Sequence, residues 1–331
     1  MGFLSDIKNS VKTYSIATTG NMNIIAGKGD AYIETHTGNA NISTKNGNHT
    51  FAVDVNNDLT LSSGCKGNDQ VYGNAGNAWV CTHDDDDTVV LNCGNLDLDV
   101  GYGDNNVIAT AKENLRIVGD DGDNAIIAAS FSTSADNRNE INLGHGNQTI
   151  ETIGNNFDIT TGDGDLKLGF VGDGYDVFAG HGNSQIGFYG NNIKIDVGDG
   201  NHDIRSLDNW FIYDEFTNTN SISQTGIFDF DLSLVNAFES RIGKFSTSVE
   251  NQNLYYGLVE GASNVSISAG NGILQGLVTV GDGDFSVSQG NIHGKNISIL
   301  LGEKGALQNF AANEFRGQNG YLLYLGSENA Q

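Results

Sequence analysis

Two columns of apolar residues recur along most of the chain. One holds Ile33, Phe51, Val71, Val89, Val107, Ile126, Ile150, Leu168, Ile186 and Ile204; the other holds Ile24, Ile42, Leu61, Val80, Leu98, Ile117, Ile141, Ile159, Val177 and Ile195. Around both, apolar and polar residues alternate, as in Leu166-Lys167-Leu168 and Ile193-Lys194-Ile195. A period of two sends successive side chains to opposite faces, so each column marks a short strand with one buried face. Most intervals within a column are 18 residues. A unit of that size cannot enclose a core by itself, and stacking of neighbours must complete it.

Between the columns lie two turns per repeat. The first begins at residues 27, 45, 65, 83, 101, 120, 144, 162, 180 and 198, with one long step of 24 that carries the insert SFSTSADNR. Its third position is glycine in nine copies and Asp85 in the other, and its fourth is Asp or Asn in all ten. Glycine at a fixed turn position implies positive φ. Asp and Asn bond nearby backbone amides, and stacked Asn side chains bond one another. The opposite turn carries Asn21, Asn39, Asp58, Asn77, Asn95, Asn114, Arg138, Asn156, Gly174 and Asn192. Both files read as structural ladders.

These periods predict an all-β chain: a right-handed, two-sided parallel β-solenoid of β-roll type, with 18-residue coils, about ten in number, and a less regular C-terminal β region. The coils occupy residues 20–212 and, at about 4.8 Å each, extend on the order of 50 Å. Residues 1–19 read as a helical cap with Ser5 as N-cap and Ile7 and Val11 on one face. Residues 213–260, with LDNWFIYDEF straddling the start and IFDFDLSLV within, read as an irregular aromatic β insert. Looser coils resume over 261–305, and 306–331 form a cap or tail.

Composition narrows the function. The 331 residues include 45 Gly and no Pro, and carry a net charge of −25. Absence of proline suits a stack in which backbone N–H groups are needed by the next coil. The acidic balance argues against nucleic acid and anionic membranes, which need a basic footprint. No apolar run is long enough to span a bilayer, and the N-terminal residues lack the pattern of a Sec signal. The three cysteines, Cys65, Cys81 and Cys93, match no zinc spacing.

The stretches KGNDQVYGNAGN (66–77), GYGDNNVIA and GHGNQTI resemble the RTX, or haemolysin-type, nonapeptide, two of which make one coil of a calcium-binding β-roll. The resemblance covers residues 27–204. It implies a protein exported without a cleaved N-terminal signal, such as a toxin, an adhesin, a surface-layer protein or the accessory domain of a secreted hydrolase. The family's calcium aspartate falls on Ala31, His49, Asp69, Asp87, Asn105, Asn124, Gln148, Leu166, Ser184 and His202, where only Asp69 and Asp87 are carboxylates. Calcium takes six to eight oxygens, so most coils are degenerate for it. One segment retains enough oxygen for Ca²⁺ at one or two turns: Asn68 and Asp69 with Asp84, Asp85, Asp86 and Asp87 of the following coil. The alternative for the same segment is a solvated acidic turn.

His145 and His181 share a turn position two coils apart, about 10 Å, too far for one ion. A solenoid enzyme acting on polysaccharide, as lyase or hydrolase, would need a lateral groove where Asp meets Lys or Arg; no catalytic residue stands out from the repeat. The expectation is a non-enzymatic, extracellular or cell-surface structural protein: an adhesin, a surface-layer protein or a self-assembling filament subunit. Its partners would be other copies of itself, through the solenoid ends, or cell-surface and matrix components, with no nucleic acid and no membrane insertion.

Overall fold

Every described strand pairs in parallel with the strand one coil away, and most pairs keep an 18- to 20-residue offset. The computed structural model describes residues 12–206, except 19, 135 and 191, and beyond these only strands between 244 and 324. Within the described residues the chain is all-β, a β-solenoid of about ten turns over residues 21–204. It divides into two units, residues 1–144 and 145–331.

The first unit contains β1 (Lys12–Ala17), β2 (Asn21–Ile25), β3 (Ala31–Thr37), β4 (Asn39–Ser43), β5 (His49–Ser62), β6 (Gln70–Cys81), β7 (Thr88–Asp99), β8 (Asn106–Ala111), β9 (Leu115–Gly119), β10 (Ala125–Ser130) and β11 (Asn139–Leu143). One stack runs β1, β3, β5, β6, β7, β8, β10. The other runs β2, β4, β5, β6, β7, β9, β11. The long strands β5, β6 and β7 belong to both because each continues through the opposite turn, with a register shift between Val55 and Asp58. The insert SFSTSADNR begins at the last residue of β10, Ser130, and ends just before β11, so its extra residues leave the stack in register.

The second unit contains β12 (Gln148–Ile153), β13 (Phe157–Thr161), β14 (Leu166–Val171), β15 (Asp176–Ala179), β16 (Ser184–Tyr189), β17 (Ile193–Val197) and β18 (His202–Ser206). It continues with β19 (Lys244–Val249), β20 (Leu254–Ala262), β21 (Asn264–Ala269), β22 (Leu274–Val280), β23 (Phe285–Gln289), β24 (Ile297–Leu301) and β25 (Leu323–Tyr324). Even- and odd-numbered strands form its two stacks, with β25 closing the even one against β24.

Two expected boundaries change. Lys12–Ala17 is a strand in register with β3, so it lies within the segment read as a helical cap; residues 1–11, with Ser5, Ile7 and Val11, lie outside the described residues. The coils resume at Lys244, inside the segment 213–260 read as irregular, because β19 and β20 continue the registers of β17 and β18. The aromatic stretch IFDFDLSLV lies outside the described residues.

Both apolar columns fill the interior of their units, no member being more than 6 % exposed. Burying a Val, Leu, Ile or Phe side chain contributes about 1.5–3 kcal/mol, and each coil supplies two. In the second unit the core also holds an aromatic pile: Phe157 on Tyr175, Tyr175 on Phe170 and Phe170 on Phe188, with ring centroids 5.2, 4.1 and 5.5 Å apart. Tyr175 is fully buried, and its hydroxyl accepts from Thr152 Oγ1 at 3.1 Å, so its polar tip is satisfied inside the core. Outward residues of the same strands alternate with these, as Lys167 does between Leu166 and Leu168.

Eight of the nine first-turn glycines, all but Gly200, hold the positive φ that their spacing implies, for example Gly164 at 139°. A Cβ on Gly164 would be driven into the carbonyl of Gly146 in the adjacent coil. Stacking distance as well as torsion therefore selects glycine there. Leu168→Ala is expected to lower unfolding free energy by about 2–5 kcal/mol and Lys167→Ala, one residue away, by less than about 0.5 kcal/mol. Urea denaturation of the two variants checks this contrast; equal effects would contradict the assignment of faces.

Candidate functional site

The hydrogen bonds of the polar side chains at the turns show how those groups are used. At the fourth position of the first turn, seven side chains accept the backbone N–H of their counterpart in the next coil. In the first unit Asn48 N donates to Asp30 Oδ1 at 2.9 Å, Asn68 N to Asn48 Oδ1 at 3.0 Å, Asp104 N to Asp86 Oδ1 at 2.9 Å and Asp123 N to Asp104 Oδ1 at 2.8 Å. In the second, Asp165 N donates to Asn147 Oδ1, Asn183 N to Asp165 Oδ1 and Asn201 N to Asn183 Oδ1, at 2.9–3.1 Å.

The opposite turn is laddered through side chains. Asn39 Nδ2 donates to Asn21 Oδ1 at 2.7 Å, Asn77 Nδ2 to Asp58 Oδ1, Asn95 Nδ2 to Asn77 Oδ1 and Asn114 Nδ2 to Asn95 Oδ1, the last three at 2.9 Å. In the second unit a third file alternates histidine and aspartate. Asp163 N donates to His145 Nδ1 at 2.9 Å, His181 N to Asp163 Oδ1 at 2.8 Å and Asp199 N to His181 Nδ1 at 3.0 Å. The two imidazoles act as acceptors for main-chain amides, a role open only to their neutral form.

The fifth turn position forms a buried polar column in the first unit. His49, Asp69, Asp87, Asn105 and Asn124 are each at most 2 % exposed. His49 N donates to Asp69 Oδ1 at 2.8 Å and His49 Nδ1 lies 2.8 Å from the same oxygen; Asp69 N donates to Asp87 Oδ1 at 2.7 Å and Asp87 N to Asn105 Oδ1 at 2.9 Å. Asn105 Nδ2 continues to Asn124 Oδ1 at 3.0 Å. The second carboxylate oxygens of Asp69 and Asp87, and His49 Nε2, have no hydrogen-bond partner among the described residues.

The six residues read as calcium ligands are divided between an outer and an inner file, with Asp69 and Asp87 bonded to each other in the inner one. Asn68 and Asp86 belong to the exposed file and Asp69 and Asp87 to the buried one, because successive residues point to opposite faces. Asp85 Oδ2 accepts Gly67 N–H at 2.8 Å, and Asp84 is exposed. Asp85 also holds φ 80° and His83 φ 69° in the left-handed region where the other coils place glycine or an ordinary turn residue. Among the described residues no group of three or more His, Cys, Asp or Glu side chains is placed to hold a metal ion. The burial of Asp87 was legible from its place two residues before Val89 on the core face; the acidic run THDDDDT hides it.

Neither buried cysteine, Cys81 nor Cys93, offers an activated thiol. All three are free; Cys81 Sγ lies 3.5 Å from His83 Nδ1 and Nε2, but burial pushes its thiol up to about 11 and that of Cys93 up to about 12. A shallow lateral groove of about 480 Å³ in the second unit is the feature that turn-by-turn reading missed. It runs across four coils and is lined by Asp165, Lys167, Asn183, Gln185 and Asp203 among others. Comparison with protein-family models, with curated proteins and with solved structures finds no match for the chain.

Burial pushes the Asp87 carboxyl up to about 7. The unfolded chain ionises it more readily, so this residue's contribution to stability is full below the ordinary aspartate range near pH 4 and is lost as pH rises toward 7. Asp87→Asn, which keeps an acceptor oxygen for Asp69 N–H, is expected to raise stability at pH 8 by on the order of 1–3 kcal/mol and to leave it nearly unchanged at pH 4. Denaturant titrations of wild type and variant at the two pH values measure this; a variant destabilised equally at both would contradict a charged, poorly satisfied Asp87.

Proposed function

We propose that the chain is a secreted or surface-exposed structural and interaction protein, of the adhesin, surface-layer or filament-subunit kind, whose solenoid is the working part. The observation that carries this reading is where the polar chemistry goes. Turn carboxylates, amides and even imidazoles are committed to the next coil's backbone, as in the His145–Asp163–His181–Asp199 file. A catalytic constellation needs the opposite: a base or nucleophile left free and tuned toward neutral pH. Cys81, beside His83, is pushed the wrong way for a nucleophile. Asp165 in the groove is exposed, and its Oδ1 already accepts two donors of Asn183.

The partners this reading favours are other copies of the chain, or matrix and cell-surface components, reached through a strand edge. Among the described residues β1 pairs with β3 alone and β2 with β4 alone, so each has one edge without a strand. Unpaired edges are templates for another chain's strand. Thr18 N donates to His36 O, toward β3; by alternation the N–H groups of Thr13, Ser15 and Ala17 face the open edge.

Negative-stain microscopy over a concentration series tests the proposal. End-to-end particles that lengthen with concentration are expected for the wild type, and their loss in Thr13→Pro, which removes one edge donor. Monomers alone at the highest concentration would count against assembly through this edge.

A further inference from the structure

We infer that the groove in the second unit binds an extended, uncharged glycan along the solenoid axis, with about one sugar per coil. This rests on reading the chain as an interaction scaffold and adds a second surface, distinct from the strand edge.

The argument begins with the spacing of the groove's side chains. Thr149, Lys167, Gln185 and Asp203 occupy the same outward position in four consecutive coils, in strict register from β12 through β14 and β16 to β18. They form one wall of the groove. The other wall is the turn file that contains Asp165 and Asn183. Equivalent positions on neighbouring coils are about 4.8 Å apart, so the groove presents polar groups on that period across four coils. A ligand that lies along it must repeat at nearly the same interval. An extended peptide advances about 3.3 Å per residue and falls out of step within two residues. An extended chain of pyranose sugars advances close to one coil per sugar and stays in step.

The chemistry of the walls points the same way. The laddering fixes the turn wall: Asp165 Oδ1 accepts Asn183 N and Nδ2 at 2.9 and 3.1 Å, which orients the carboxylate and leaves Oδ2 as an acceptor for a hydroxyl pair. Across from it, Lys167 is exposed and makes no ion pair among the described residues, so its ammonium supplies donors. Gln185 supplies a donor and an acceptor on one side chain. Mixed donors and acceptors at a fixed period match vicinal hydroxyls, which both give and take hydrogen bonds. The chain's net charge of −25 disfavours a polyanionic glycan, and the groove has one lysine against two aspartates.

Titration calorimetry of the full chain with β-1,4-linked glucose and β-1,4-linked N-acetylglucosamine oligomers, from disaccharide to hexasaccharide, tests this. Binding of either series is expected, with affinity rising to the tetrasaccharide and then levelling, because four coils line the groove. Lys167→Ala and Gln185→Ala should each weaken tetrasaccharide binding at least about tenfold with the circular dichroism spectrum unchanged. Thr50→Ala, at the matching outward position of the first unit, should leave it unaltered. No binding in either series, affinity independent of length, or affinity unchanged in both groove variants would overturn the inference. Thr13→Pro alters the strand edge and not the groove, so failure of glycan binding and failure of assembly are separately visible.

Discussion

A flat coil has no hydrogen-bonding neighbour in its own plane, so the backbone N–H and C=O groups of its strands must be met by the coils above and below. Because side chains alternate along a strand, shifting its register by one residue sends all of them to the opposite face. Here a slip of one residue would turn an entire column, such as Val71, Val89 and Val107, out of the core. Register is consequently defended at several levels: by apolar columns, by glycines whose Cβ would collide with the next coil, and by side chains that accept the next coil's turn amides. Each hydrogen bond contributes only about 0.5–1.5 kcal/mol net, but leaving a buried amide unmet costs about 1–3 kcal/mol. In the inner column, where the amides of His49, Asp69 and Asp87 are buried, the ladder matters chiefly for what its absence would cost.

This constraint explains what the amino-acid order revealed and what it concealed. Ile33 and Ile24 announce their columns because apolar side chains repeat with the coil, and the coil length shows directly in the spacing of GHGN, GDGD and GHGN. The Asn and Asp files were legible for the same reason, since Asn39, Asp58 and Asn77 recur at the period of the stack and bond at that period. Four adjacent aspartates at 84–87 look like a single acidic site when read along the chain. Folding sends Asp86 to the outer file and Asp87 to the inner one, so adjacency in sequence becomes separation in space. The groove escaped notice for the converse reason. Lys167 and Gln185 are 18 residues apart and chemically unlike, yet registration places them side by side.

Stacking leaves two kinds of surface on which the proposed interactions rest: open strand edges, for pairing with another chain's strand, and the outward positions of the strands, for a periodic polymer. Among the described residues, turn carboxylates such as Asp30, Asp104 and Asp163 are exposed and accept amides from adjacent coils.

Hydrogen exchange of the turn amides tests the central claim, that side-chain ladders lock each coil to the next. The backbone amides of Asn48, Asp104 and Asn183 lie outside strands yet donate to Asp30, Asp86 and Asp165. They are expected to be protected nearly as well as the strand amides of Leu168 and Ile186, opening only when coils separate. Exchange of these turn amides at the rate of free loop amides, with the strands still protected, would contradict the account.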